Sequence, residues 1–360
     1  MNPSTTTIGT TVKPQLVWRT RGIGYWTRRI VLGLLVALVA LGATGAIYQV
    51  VATALARRAY PPPGQLVAVS DMSLHIFCTG ESKPGSPTVI LEAGIAGTSA
   101  DWSWVQPAIA THTRTCSYDR AGMGWSSASR QPRDAGQIAA ELHTLLTKAG
   151  VAGPYVLVGH SFGGLYVRKY VADYPKDVAG LVLVEATHPD LWKRLPPSLG
   201  TPPDQQPLGL FPIIARLGLA RLGLIDVFPV DPDLAPQQRA AIGALNTSTT
   251  SMETISAELR AFPATAAQVH DASALGNLPL AVLSAGNDYA IEPPDVGVPA
   301  RQTWAKLQAE LAALSQNTTH RTIPEATHES LVHKQADAEP TIAVILQVVE
   351  AARTGQPLAR

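Results

Sequence analysis

Between the apolar run Tyr155-Val156-Leu157-Val158 and a helical pattern that opens at Phe162, the chain reads Gly159-His160-Ser161-Phe162-Gly163. A G-x-S-x-G pentapeptide in that setting is a sharp strand-to-helix turn that lifts the serine hydroxyl clear of the backbone. Glycine stands on either side because a side chain there would strike the neighbouring strand or helix. The helix N-terminus behind the serine favours negative charge developing beside it. Ser161 is therefore the predicted nucleophile, against the blander reading of a structural serine.

A hydroxyl becomes a useful nucleophile only when a base takes its proton. With this type of elbow the acid and then the base follow the serine in chain order. Of the nine histidines, His328 and His333 follow the last predicted strand. The Ala326-Thr327-His328 loop can bring a ring into a cleft, so His328 is the predicted base. His333 is expected one helical turn further on and more exposed. His160 sits inside the elbow and reads as packing. For the acid, Leu280–Ala285 is a strand candidate that leads through Gly286-Asn287 to Asp288. Asp288 would orient the imidazole and stabilise its charged form. Glu185, at the end of the preceding strand, is the rival, and Asp295 lies further from a strand end. The oxyanion needs backbone N–H donors. These are expected from Phe162, directly after the nucleophile, and from Ile95 in the Ala93-Gly94-Ile95-Ala96-Gly97 loop.

Strands are predicted at Gln65–Ser70, Met72–Thr79, Thr88–Glu92, Thr113–Tyr118, Tyr155–Gly159, Gly180–Glu185, Leu280–Ala285 and His320–Ile323. The first two are joined at Asp71 as a hairpin. Helical patterns at Gly136–Ala149, Phe162–Tyr174, Arg301–Leu314 and Thr341–Ala352 alternate with the later strands. Such alternation argues for a mostly parallel sheet covered on both faces. Leu181-Val182-Leu183-Val184 is a continuous apolar run, as central parallel strands require. From His188 to about Asn277 no strand pattern occurs. This stretch reads as an inserted helical cap at 188–277 within an α/β core at 65–187 and 278–352.

Near the amino terminus, Ile30 to Ala56 carries no charge. Its length meets the roughly 20 apolar residues that a bilayer core requires of a helix. Lys13, Arg19, Arg21, Arg28 and Arg29 precede it, with no acidic residue before it. The positive-inside rule then places residues 1–29 in the cytoplasm and the catalytic domain outside, on a single-pass anchor at 30–56. A cleaved signal segment, leaving a secreted domain, is the alternative. Residues 57–64, with Pro61-Pro62-Pro63, read as a stiff linker, and 353–360 as a tail.

With 46% hydrophobic and 15% charged residues the chain is not a disordered one. A net charge of +1 and no basic stripe argue against nucleic-acid binding. The histidines show no metal-binding spacing, and no metal or organic cofactor is expected.

These residues together resemble the α/β-hydrolase superfamily, and more narrowly its bacterial membrane-anchored members. Tyr118-Asp119-Arg120-Ala121-Gly122-Met123-Gly124-Trp125-Ser126 is similar to the family's Y-D-R-x-G-x-G-x-S segment, where Asp119 and Arg120 read as structural. Leu91-Glu92-Ala93-Gly94 stands where many relatives carry His-Gly, so Ala93 departs from the pattern. The resemblance implies an eight-stranded α/β-hydrolase fold in which the second strand lies beside the fourth. Cys78 and Cys116 then become cross-strand neighbours, as a disulfide or as two buried thiols. It also implies a serine hydrolase acting on a small-molecule carboxylic ester or related acyl substrate. Serine argues against the aspartate-nucleophile branches of the family. An acyltransferase or peptidase would use the same triad, and a non-catalytic membrane-tethered binding protein would keep only the fold. The apolar cap suggests an apolar acyl or alkyl group.

Overall fold

A computed structural model describes Gly9 and residues 22–199, 201–225, 227–270, 275–288 and 293–358. Most of the amino-terminal tail, with Lys13, Arg19 and Arg21, lies outside the described residues, as do residues 359 and 360. The chain divides into two compact units, Met1–Thr44 and Gly45–Arg360.

The first unit holds the opening part of helix α1 (Ile23–Ala59). The helix runs past both ends of the apolar segment, because Ala and Arg sustain a helix as well as Leu does. It takes in Arg57, Arg58 and Ala59, so the linker is shorter than the sequence suggests and opens at Tyr60.

The second unit is built on eight strands: β1 (Gln65–Val69), β2 (Met72–Thr79), β3 (Thr88–Glu92), β4 (Thr115–Tyr118), β5 (Tyr155–His160), β6 (Val178–Val184), β7 (Leu280–Ala285) and β8 (Thr318–Ile323). Their order across the sheet is β1-β2-β4-β3-β5-β6-β7-β8. The pairs β1–β2 and β2–β4 are antiparallel, and every other pair is parallel. Cys78 faces Cys116 in the β2–β4 register, and the two form a disulfide.

Period-two alternation decides which helix each strand residue meets. Leu157, Leu181 and Leu183 point to the face covered by α3 (Ala135–Lys148) and α4 (Gly163–Asp173). Val156, Val158, Val182 and Val184 point to the face covered by α2 (Val105–Ala110) and by a later helix at Gln335–Thr354. Both faces are dry, which is why the central strands read as unbroken apolar runs.

The insertion is a helical cap with no strand among its described residues. It carries α5 (Leu191–Arg194), α6 (Leu210–Arg216), α7 (Pro236–Asn246), α8 (Thr249–Arg260) and α9 (Phe262–His270). Leu208, Met252, Ile255, Leu259 and Phe262 of the cap pack on Phe162, Leu165 and Tyr166, at the start of α4. The cap is thus seated on the turn that presents Ser161. After β7 come α10 (Pro294–Ala312), α11 (Ser330–His333) and α12 (Gln335–Thr354).

Candidate active site

The elbow is strained as its role requires. Ser161 has φ +54°, a left-handed conformation that costs a non-glycine residue about 1–3 kcal/mol. Its N–H donates to Val184 O at 3.1 Å, which ties the turn to β6. A Cβ on Gly159 would fall 2.6 Å from Val167 and 2.7 Å from Gly163 O. One on Gly163 would fall 2.5 Å from Glu92 O. Neither position can carry a side chain. The Ala93–Gly97 loop closes on the same point: a Cβ on Gly94 would sit 2.9 Å from Ser161 Cβ.

Ser161, His160, Ile95 and His328 line one cavity of about 450 Å³, roofed by cap residues such as Phe228 and Ile242. Among the described residues, the N–H groups of Ile95 and Phe162 donate to no protein acceptor. An oxyanion hole needs donors left unspent in this way. Ala96 in the same loop has φ +59°, and Asn246 of the cap holds its carbonyl with a 2.7 Å bond from Nδ2.

Asp288 and His328 meet. Asp288 Oδ1 accepts from the His328 backbone N–H at 2.6 Å, and Oδ2 lies 3.9 Å from His328 Nδ1. The carboxylate therefore fixes the His328 loop by its main chain and faces the ring just beyond hydrogen-bond reach. No hydrogen bond joins Ser161 Oγ to His328 among the described residues; the two meet as walls of the same cavity. Contacts of this kind often tighten only when substrate is bound. His160 packs beneath, its Nε2 2.9 Å from His328 O. Burial lowers its pKa to about 4, which leaves it neutral.

The rival acid is in the same place. Glu185 is fully buried, with φ +46°, and its Oε2 accepts from Ala285 N–H at 2.6 Å. Donor atoms of Glu185, Asp288 and His328 all lie within 4.8 Å of one another, a spacing that a metal ion could also use. Burial, then the charge and hydrogen bond of Asp288, push the Glu185 carboxyl well above the ordinary carboxylate range. Two carboxyl groups this close bear two charges together only at a cost.

His333 departs from its expected place. It is buried, with Nε2 3.1 Å from Asp101 and Nδ1 3.2 Å from Asp231. The short α11 turns the ring inward instead of carrying it to the surface. Burial would lower its pKa, but the two carboxylates raise it to about 10. An imidazole charged at neutral pH cannot accept a proton, which sets His333 apart from His328. Asp101 and Asp231 were not singled out from the sequence. Asp101 carried a signal, since Thr98-x-x-Asp101 has capping-box spacing, and the box forms.

Arg120 is another buried charge. Its Nη1 donates to Glu92 Oε1 and Ala93 O at 2.8 Å, and its Nη2 to Gly94 O at 2.7 Å. Nε and Nη2 reach Glu258 of α8 at 2.9 Å. Tyr118 OH also bonds Glu92. Burial raises Glu92 to about 7 despite Arg120.

Residues 87–212 match a family model described as the alpha/beta hydrolase fold. The chain has the α/β-hydrolase fold. A protein of Pseudomonas aeruginosa described as a probable hydrolytic enzyme is similar to this chain with a TM-score of 0.61 at 20% identity, over 80% of this chain and 95% of that one. An AB hydrolase superfamily protein of Gibberella zeae is 36% identical over 116 residues, 30% of this chain and 36% of the relative. An uncharacterized protein of Schizosaccharomyces pombe is 32% identical over 151 residues, 34% of this chain and 28% of the relative. The matches to these two curated relatives thus span about a third of their length.

Proposed function

We propose that the protein is a serine hydrolase that cleaves a carboxylic ester or related acyl compound through an acyl-enzyme on Ser161. The observation that carries this reading is the strained Ser161 in a cavity that Ile95 and His328 also line, with the Ile95 and Phe162 N–H groups left unspent among the described residues. Ser161 Oγ attacks the acyl carbon while His328 takes its proton. Ile95 and Phe162 N–H groups hold the oxyanion. His328 then gives the proton to the leaving group, and water repeats the sequence to release the acid. Asp288 orients His328. With a fluorophosphonate probe, the full chain should be labelled at Ser161 alone. Folded, disulfide-bonded protein that stays unlabelled at Ser161 would refute the reading.

Within this site Glu185 is the neutral member, donating its proton to Asp288. Its raised pKa gives a signed expectation. The protonated form is favoured in the folded state, so its contribution is complete below the unfolded value near 4.5 and declines as pH rises toward the raised folded value. Glu185→Gln keeps a donor and removes the titration. Its stability relative to wild type should therefore climb between pH 5 and pH 8, by up to about 1.4 kcal/mol per pH unit. Urea unfolding of both proteins measures this, and a difference that stays flat with pH would show Glu185 to be ionised.

The same proposal places the domain outside the cytoplasm on α1. Two things support it: the basic residues before the apolar run, and the Cys78–Cys116 disulfide, which suits an oxidising compartment.

A further inference from the structure

The exposed apolar surface of the second unit is concentrated. Outside α1, seven large apolar side chains are exposed among the described residues, and five of them fall between positions 210 and 225. These are Leu210, Ile213, Leu222, Leu224 and Ile225, each 41–68% exposed. A water-soluble surface rarely gathers such residues without a partner.

This segment lies along the later part of α1. A Cβ on Gly45 would touch Leu217 O at 2.4 Å, and one on Gly218 would touch Tyr48 at 2.9 Å. Arg221 donates from Nε to Gln49 Oε1 at 3.1 Å and from Nη2 to Thr53 Oγ1 at 3.3 Å. Gln49 in turn donates to Thr247 O at 2.8 Å. Gln49 and Thr53 are polar residues in an apolar helix, and the cap explains them.

Length then fixes the depth. The uncharged run from Ile30 to Ala56 has 27 residues, roughly 40 Å of helix against a hydrocarbon core of about 30 Å. Every window of about 20 residues that could fill the core contains Gly45. The shallowest ends at Gln49, which puts the polar Gln49–Arg221–Thr247 group at the headgroups. Leu217, against Gly45, then lies roughly 6 Å further in, within the depth that interfacial segments reach.

We propose that cap segment Leu210–Ile225 is a lipid-facing surface immersed in the leaflet beside the anchor, and that the substrate is an ester drawn from that bilayer. Phe228, Pro229 and Val230, which follow this segment along the chain, line the Ser161 cavity. The proposal rests on the anchor and hydrolase readings above.

The test uses the full chain in phosphatidylcholine proteoliposomes with acyl-chain spin-labelled lipid. The native cysteines are paired, so single cysteines at Leu224→Cys, Leu38→Cys and Lys148→Cys can carry a fluorophore selectively. Quenching at 224 should approach that at 38, with none at 148. Quenching at 38 but not at 224 overturns the lipid-facing cap and leaves the anchor standing. Its absence at both positions removes the anchor, and the proposal with it. The triple variant Leu222→Ser, Leu224→Ser, Ile225→Ser should keep its turnover of a soluble p-nitrophenyl ester and lose about tenfold on an ester embedded in the bilayer. Equal turnover of both esters by variant and wild type overturns bilayer delivery. Failure of wild type on both esters removes the hydrolase reading instead.

Discussion

Ser161→Ala should lower turnover of a short-chain p-nitrophenyl ester by about 10⁴-fold or more, with the unfolding midpoint and the Cys78–Cys116 disulfide unchanged. The size of the loss follows from the division of labour in the cavity. Without the hydroxyl, His328 has no proton to take and no acyl-enzyme can form. The Ile95 and Phe162 N–H groups would still bind a polarised carbonyl, so a small residual rate above water remains. The fold should be indifferent because the residue's strain belongs to the backbone. Alanine at φ +54° meets the same penalty as serine, and the N–H to Val184 O bond is unaffected. Among the described residues, the hydroxyl bonds to none that its removal would leave unsatisfied. Steady-state turnover beside thermal unfolding of both proteins checks the pair of expectations. A variant that keeps a tenth of the wild-type rate would place the nucleophile elsewhere.

Sequence showed the elbow and the strands around it because local sterics dictate both. Gly159 and Gly163 are glycines for contacts that can be anticipated from the turn alone. β2, β3 and β7 fall where their β-branched runs end. Helix starts were harder. α10 begins at Pro294 and α12 at Gln335, although the patterns suggested Arg301 and Thr341. In both, a proline sits one turn or more inside, at Pro299 and Pro340, where it reads as a boundary. Each proline forfeits one N–H bond to the preceding turn, and the helix nevertheless runs through it. Pairings across the chain were harder still. Asp288 and Glu185 could be ranked as acids from strand ends, but nothing local says that the two carboxyls touch. The inward turn of His333 depends on Asp231, a residue 102 positions away in the cap, and no periodicity carries that information.

Arg120→Met should destabilise the protein by about 3–5 kcal/mol in urea unfolding, because it removes one partner of a buried charge network and leaves the others in place. Arg120 is 2% exposed, and Glu92 and Glu258 are 1% each. Methionine fills much of the volume but satisfies neither carboxylate, nor the Ala93 and Gly94 carbonyls. Those carbonyls immediately precede Ile95, so the same variant should lower kcat by letting the oxyanion loop drift. Lysine should not rescue it. One ammonium cannot reproduce the planar fork that reaches β3, the loop and α8 together. The pH dependence separates this account from simple loss of packing. Glu92 already stands near 7 with the guanidinium present, so its stabilising contribution is complete below about 4.5 and declines as pH rises through its folded value. Without Arg120 that value moves higher, and Glu92 ionises at greater cost. The deficit of the variant relative to wild type should therefore be smaller at pH 5 than at pH 8. A deficit equal at both would mean that Arg120 acts through its bulk, and the charge link from the cap through Arg120 to the oxyanion loop would fall.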